Sequence, residues 1–359
     1  MKVNLLEICT PKQWKTLATC ELLESGKYDV YGANGIIGKY DEYNHEFPTV
    51  LITCRGATCG NVHLSKPFSY INGNAMALDN LDETKCLNKY LYYYLKGIDL
   101  SNSISGSAQP QITIHGLKKI NIKLYDLNRQ NEIVTNLSKI DNLINLKNNQ
   151  IYKLEQLVKS QFVEMFGEPL INNKKWKNGT INDLIIDAKY GTSRPSINGG
   201  KYKYLRMNNI TYDGKLDIKD LKYIDIPDNE LDKYTTKRGD ILFNRTNSRD
   251  LVGKTCVYNL DEKMVIAGFI IRVRTNQLAN PYFISAYLNT SILKEKLYSM
   301  CKNASGQSNI NAQELKNIEI YIPPIELQNK FAKIVEQIDK QKFVSEKMLE
   351  IIGKLSNLW

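Results

Sequence analysis

Residues 117–141 read LKKINIKLYDLNRQNEIVTNLSKID, and residues 315–339 read LKNIEIYIPPIELQNKFAKIVEQID. Leu117-Lys118 matches Leu315-Lys316, Gln130-Asn131 matches Gln328-Asn329, and Ile140-Asp141 matches Ile338-Asp339, all at one offset of 198 residues. Slightly upstream, Ser105-Gly106 recurs as Ser305-Gly306. Each copy therefore runs from a glycine-containing polar loop through a strand-like stretch (120–124, 318–322) and a turn into a helix. A period this long is not a solenoid unit; it describes two copies of a domain, each followed by a helix.

The first helix is predicted over 128–166, because that stretch has no glycine or proline while Gly167 and Pro169 provide a stop. Leu137, Ile140, Ile144, Ile151, Leu154, Val158 and Met165 fall on one seam of 3-4 spacing, interrupted by Lys147 and Gln161. At 1.5 Å per residue this helix is roughly 55 Å long. The second helix begins after Pro323-Pro324, where proline suits a helix start, and carries Val344, Met348, Ile351, Leu355 and Leu358 on its own stripe towards Trp359. Two such stripes predict that the helices pack on each other, since each needs an apolar partner. Leu143, Leu146 and Leu157 are left over for another protein.

The chain has 359 residues, enough for about two domains. With 42% hydrophobic and 24% charged residues it is ordinary globular material. Its net charge of +10 and pI near 9.0 favour polyanions, nucleic acid first. No run approaches the roughly 20 apolar residues of a membrane helix, and Met1-Lys2-Val3-Asn4-Leu5 has no signal-peptide core, so a cytoplasmic protein off the membrane is expected. Seven cysteines with no C-x-x-C read as reduced thiols. Cys54 and Cys59, close to His45 and His63, lack the spacing of a structural zinc site.

Between the repeated parts, residues 1–104 and 168–304 are rich in short strand-like runs, glycines and aromatics. In the first, 31–40 (YGANGIIGKY) is a glycine-punctuated turn region, and 55–60 (RGATCG) caps an apolar strand. The latter has neither the Gly-Lys-Ser/Thr ending nor the long helix of a phosphate loop. The second is laid out similarly, with 190–195 (YGTSRP), 204–210 (YLRMNNI) and 239–249 (GDILFNRTNSR). Arg and Asn can pair bidentately with guanine and adenine edges, while Lys, Ser, Thr and Tyr hold phosphates. The candidate contacts are Lys39, Tyr40, Arg55, Thr58, Asn74 and Gln109 in the first segment. Those of the second are Tyr190, Thr192, Arg194, Arg206, Asn208, Asn209, Arg245, Asn247, Arg249 and Gln307. Turn asparagines and surface arginines are common, so the set carries more weight than any member. Tyr90, Tyr92, Tyr93 and Tyr94 lie in a helical stretch, 88–96, and read as packing.

Catalytic signatures are missing: no Gly-x-Gly-x-x-Gly, Walker sequence, His-Glu-x-x-His or nucleophile elbow occurs. An adenine methyltransferase needs an acidic residue or Asn, then Pro-Pro and an aromatic, and the one double proline lies in Tyr321-Ile322-Pro323-Pro324-Ile325. Three histidines leave little general-base capacity. The chain reads as one that recognises without catalysing, so a self-sufficient nuclease or methyltransferase is disfavoured.

Together, 31–40, 51–62 (LITCRGATCGNV), 160–167 (SQFVEMFG) and the two repeated blocks resemble the specificity subunits of Type I restriction-modification systems over essentially the whole chain. The resemblance implies an α+β fold with two target recognition domains, 1–127 and 167–324, in pseudo-two-fold arrangement. They would be separated by antiparallel spacer helices, 128–166 and 325–359. It further implies that each domain reads one half of a split target in the major groove of double-stranded DNA. Two adenine methyltransferase subunits would dock on the chain, with restriction subunits joining through them. S-adenosylmethionine, ATP and Mg2+ would belong to those subunits and none to this chain. The interface residues implied are Leu137, Ile140, Ile144, Ile151, Leu154, Val158, Val344, Met348, Ile351 and Leu355. The sequence departs from a strict repeat in its shorter second helix and in Leu124-Tyr125-Asp126-Leu127, which stands where the other copy has Ile322-Pro323-Pro324-Ile325. The alternative is a coiled-coil scaffold whose globular domains bind something other than DNA; salt-independent behaviour would favour it.

Overall fold

The computed structural model describes residues 1–106, 109–301 and 308–356, the last three as backbone. Gln307, the 305–306 pair and the Leu355 side chain lie outside the described residues. The chain divides into two compact units, residues 1–148 with the chain end from 347, and residues 149–346. The helices of eight or more residues are α1 (Asn88–Gly97), α2 (Leu127–Phe166), α3 (Pro281–Leu288), α4 (Ser291–Met300) and α5 (Ile325–Ser356).

In the first unit a four-stranded antiparallel sheet has the order Thr10–Gln13, Ala75–Asp79, Val50–Thr53, Val62–Leu64. A three-stranded sheet has the order Gly35–Tyr40, Tyr28–Gly32, Tyr70–Ile71, the last pair parallel. Lys2–Asn4 pairs with Asn121–Lys123 just before α2 begins. Val50, Ile52, Met76 and Leu78 of the larger sheet pack with Tyr90, Leu91 and Leu95 of α1, which places the tyrosine-rich helix in the core as its spacing predicts.

The second unit repeats this topology strand for strand. Ile185–Tyr190, Ile270–Thr275, Ile241–Asn244 and Thr255–Val257 form the four-stranded sheet, and Lys222–Ile224, Tyr202–Leu205 and Val265–Ile266 the three-stranded one. Individual backbone hydrogen bonds correspond. Asn72 N donates to Tyr31 O at 2.8 Å as Ala267 N does to Leu205 O at 2.9 Å. Cys54 N donates to Asn74 O at 3.1 Å as Arg245 N does to Phe269 O at 2.9 Å. The duplication visible in sequence only around 105–141 and 305–339 thus extends through the variable segments. It is invisible there because a sheet needs backbone partners and apolar alternation, not particular side chains.

The repeated glutamine has a structural reason. Gln130, fully buried in the first turn of α2, donates from Nε2 to Lys85 O at 2.7 Å and Tyr125 O at 2.9 Å and accepts from Leu87 N at 2.9 Å. Gln328, equally buried at the start of α5, donates to Leu278 O at 3.1 Å and Pro323 O at 2.8 Å and accepts from Asn280 N at 2.9 Å. Leu87 and Asn280 are the N-cap residues of α1 and α3, so each amide ties a long helix to the start of the helix that covers the sheet. Where the second copy has prolines, the first has Asp126, whose side chain accepts from Arg129 N at 2.9 Å as an N-cap. Gly167, at φ +85°, ends α2 where its sequence predicts.

Within the second unit the two long helices pack together. Phe162 and Phe166 of α2 lie 5.6 and 5.4 Å from Phe331 of α5, and Phe283 and Tyr287 of α3 close the cluster. Glu155 meets Lys342 at 2.9 Å. Because α2 numbers fall as α5 numbers rise, the helices run antiparallel. The buried face of α5 is Phe331, Ala332, Ile338, Lys342 and Ser345, with Val335 packed beside it. The seam predicted through Val344, Met348 and Ile351 is corrected: these are 53%, 43% and 59% exposed. Hydrophobic spacing alone selected the wrong stripe because the true one includes a lysine neutralised by Glu155. Leu143, Leu146 and Leu157 are exposed, as their leftover positions suggested.

Candidate nucleic-acid interface

Two polar tips stand at equivalent ends of the two four-stranded sheets. In the second unit, Asn244 ends its strand buried and donates from Nδ2 to Thr246 O at 3.0 Å and Phe269 O at 3.1 Å. Its Oδ1 accepts from Asn247 Nδ2 at 2.9 Å. This amide fixes the turn that carries Arg245 and Asn247, and Thr246–Asn247 then pairs with Ser308–Asn309. Tyr190, at the end of its strand, accepts from Ala312 N at 2.8 Å through its hydroxyl. The Arg245 guanidinium lies 4.8 Å from the centre of the Tyr190 ring, and among the described residues its buried Nε has no hydrogen-bond partner. An aromatic shelf thus holds a cation with one donor, Nε, unpaired among the described residues. Arg249 lies 4.0 Å over the Tyr298 ring and donates to Tyr298 O at 3.3 Å.

In the first unit the strand Val50–Thr53 leads to exposed Arg55, which bridges Gln111. Thr53 and Thr58 both donate to Ala33 O, at 2.6 and 2.9 Å, drawing the 55–60 loop onto the Ala33-Asn34 turn. Gly56 N donates to Pro110 O at 3.2 Å, and Cys54 N to Asn74 O at 3.1 Å. Arg55, Thr58, Asn74 and Gln109 therefore gather around one strand end. The matched hydrogen bonds make Cys54 the counterpart of Arg245 and Arg55 that of Thr246. The arginines of the two tips are thus one position out of register.

Other predicted contacts lie elsewhere. Lys39 and Tyr40 occupy the far end of their strand from the Ala33-Asn34 turn, and Tyr40 packs edge-on to Tyr70. Thr192 and Asn209 are 3% and 2% exposed, so their assignment as DNA contacts is corrected. Thr192 accepts from Arg194 N and bridges Ala267, while Asn209 donates to Asp217 O and Asp220 O at 2.8 and 3.0 Å to hold a loop. Arg206 pairs with Asp220 at 2.8 Å and Arg194 with Glu230 at 3.2 Å, while Asn208 is exposed. Two tip residues were missed, Gln111 and Asn309. The 198-residue offset relates them, but as neighbours of Gln109 and Gln307 they have no distinctive chemistry. Asn244 was missed as the organiser of its turn.

Below the second tip, a cavity of about 960 Å³ is lined by Tyr212, Lys215, Arg249, Lys294 and Tyr298 among others. Burial lowers Lys294 to about 8, and Lys254 adds to the effect. Lys254 is itself lowered by burial while donating to Met207 O at 2.8 Å. No group of three or more His, Cys, Asp or Glu among the described residues could hold a metal ion, and none of the described helices is long and apolar enough to cross a membrane.

A specificity subunit of Escherichia coli K12, named for the type I restriction enzyme EcoKI, is 23% identical over 261 residues, 67% of this chain and 55% of that protein. A Methanocaldococcus jannaschii relative is 29% identical over 210 residues, 57% of this chain and 47% of its own length. The chain spans about half the length of these two curated relatives. The crystal structure of a Type I restriction-modification S subunit from M. genitalium agrees in fold, with a TM-score of 0.66 and 18% identity over 100% of this chain and 94% of that one. The profile of the Type I restriction modification DNA specificity domain matches residues 1–156 and 173–352. With its fold repeated twice and nearly all of its length matched, the chain belongs to the Type I restriction-modification DNA specificity family.

Proposed function

We propose that this chain is the sequence-reading subunit of a Type I restriction-modification complex, binding a two-part target in the major groove of double-stranded DNA. The observation that supports this best is the pair of equivalent strand ends, each with a pre-formed polar tip: Arg55, Thr58, Asn74 and Gln109 in one unit, Tyr190, Arg245 and Asn247 in the other. An arginine held on an aromatic ring keeps a fixed plane, and a bidentate contact from it to guanine is worth about 1–3 kcal/mol of discrimination. The net charge of +10 adds sequence-independent attraction to phosphate.

The exposed apolar side chains of the long helices, including Leu146, Val344, Met348 and Ile351, are the docking sites for two adenine methyltransferase subunits, and restriction subunits join through these. In this reading the chain performs no chemistry. S-adenosylmethionine, ATP and Mg2+ serve the other subunits, and the complex works in the cytoplasm.

Modified-base mapping in a methylation-free host tests the reading. Co-expression with the neighbouring methyltransferase should place methyladenine at a split sequence that neither protein alone produces. The same methylation without this chain, or none with a demonstrably active partner, would reject it.

A further inference from the structure

One carboxylate ties the second β-domain to both long helices. Glu155 of α2 accepts at the same oxygen, Oε1, from Lys215 Nζ at 2.8 Å and from Lys342 Nζ of α5 at 2.9 Å. Lys215 also meets Asp213 at 3.2 Å and Glu346 of α5 at 3.9 Å. It belongs to a turn that holds its own shape: Thr211 N donates to Lys215 O at 2.9 Å, and Lys215 N to Thr211 Oγ1 at 2.9 Å. Gly214 in that turn has φ +85°, and a Cβ there would collide with the Asn289 side chain and the Thr255 carbonyl. Lys215 is therefore delivered by a rigid arm of the β-domain.

Lys342 is 7% exposed at its side chain, with Glu155 as its ion-pair partner. Burial works against the Glu155 carboxylate, but hydrogen bonds from Lys215 and Lys342 outweigh it and hold its pKa below the usual value. The domain's other attachments to the helices gather at the Phe166 end: the aromatic cluster of Phe162, Phe166, Phe283 and Phe331, the bond from Trp176 Nε1 to Phe166 O at 2.9 Å, and the Gln328 clamp. Glu155 lies eleven residues before Phe166, about 16 Å along the helix. Attachments gathered at one end of the helices permit pivoting, whereas a further one separated along the helix fixes an angle.

We propose that Glu155, acting through Lys215 and Lys342, is a positioning residue that sets the angle of the second β-domain on the long helices and thereby the permitted spacing between the two halves of the DNA target. The inference rests on the recognition reading above. Since one base pair rises about 3.4 Å, a small change of angle is enough to admit a neighbouring spacing.

The test uses the complete complex with its methyltransferase and duplexes whose half-sites are separated by the native number of base pairs, one fewer or one more. Lys215→Met removes the domain's side of the clamp and leaves the buried Glu155 and Lys342 paired. It should lower the preference for native over altered spacing at least about fivefold, the factor equivalent to about 1 kcal/mol. The half-site sequences should be unchanged, and Glu155→Gln should act in the same direction. An unchanged spacing preference, or an equal loss of methylation at every spacing, overturns the inference. If the unaltered complex methylates no split target, the recognition reading falls and this inference with it, an outcome visible before any variant is made.

Discussion

Replacing Gln328 by methionine keeps the side chain's length and removes every hydrogen bond of the clamp at the start of α5. Leu278 O, Pro323 O and Asn280 N would lose partners now at 3.1, 2.8 and 2.9 Å, in a position with no solvent exposure. Each buried polar group left unpaired costs about 1–3 kcal/mol. Leu278 is 47% exposed, so its carbonyl can recover water, leaving two groups that count in full. The expected loss is about 2–6 kcal/mol from the second unit. With a urea dependence of about 2 kcal/mol per molar, the unfolding midpoint of that unit falls by about 1–3 M. Hydrogen exchange on peptides covering 278–284 and 323–331 would assign the loss to the right unit. Asn329→Ala, removing an exposed contact to Asn280, is the control and should cost below about 0.5 kcal/mol. Gln130→Met should produce the same loss in the first unit. Near-neutral behaviour of both methionine variants would refute the clamp as the reason for the repeated glutamine.

Arg245→Ala should weaken reading of one half-site only, by about 1–3 kcal/mol or roughly 5- to 150-fold in competition binding; equal loss on all duplexes would assign it to phosphate. Arg206→Ala, whose guanidinium is paired to Asp220, should change neither half-site by more than about threefold, read in the same assay. Lys294→Met should stabilise the second unit by about 1–3 kcal/mol at pH 7, because burial lowers the folded pKa from 10.5 to about 8. Between those values the unfolded chain binds more protons, so the unaltered protein gains stability as pH rises, and the variant's advantage should fade over the same window in urea titrations. Duplex affinity of the complex should fall steeply with salt, a slope near zero favouring the scaffold alternative.

The duplication, the helix ends at Gly167 and Pro324 and the packing of Tyr90 could all be read from the amino-acid sequence, because each depends on a local and nearly obligatory preference. The stripe on α5 could not. Lys342 and Ser345 occupy buried positions that hydropathy assigns to solvent, and the ion pair with Glu155, 187 residues away in sequence, makes that lysine tolerable. The same limit governs the tips. Asn209 and Arg206 have the chemistry of base readers, yet the Asn209 amide donates to the 217–220 loop and Nη2 of Arg206 is tied to Asp220. Asn244, which arranges the second tip, has no signature beyond being one of many asparagines. Sequence reports which groups can donate; folding decides which still have a bond to give.

The two units hold their tips with equivalent backbone bonds but unrelated side chains, and this has a consequence for how specificity can change. Thr53 and Asn244 occupy the same strand-end position, and each has its side chain satisfied by the turn beyond or beside it. Cys54 and Arg245 follow, one buried, the other set on Tyr190. Stability is supplied by the sheets, the glutamine clamps and the helix cores, none of which includes the exposed side chains of the tips. Exposed substitutions usually stay within about 0.5 kcal/mol of neutral, whereas a lost bidentate base contact costs about 1–3. Exchange of Arg55, Asn74 or Gln109 should therefore move DNA preference much further than it moves stability. Exchange of Asn244 should do the reverse, because that amide holds the turn and presents nothing outward.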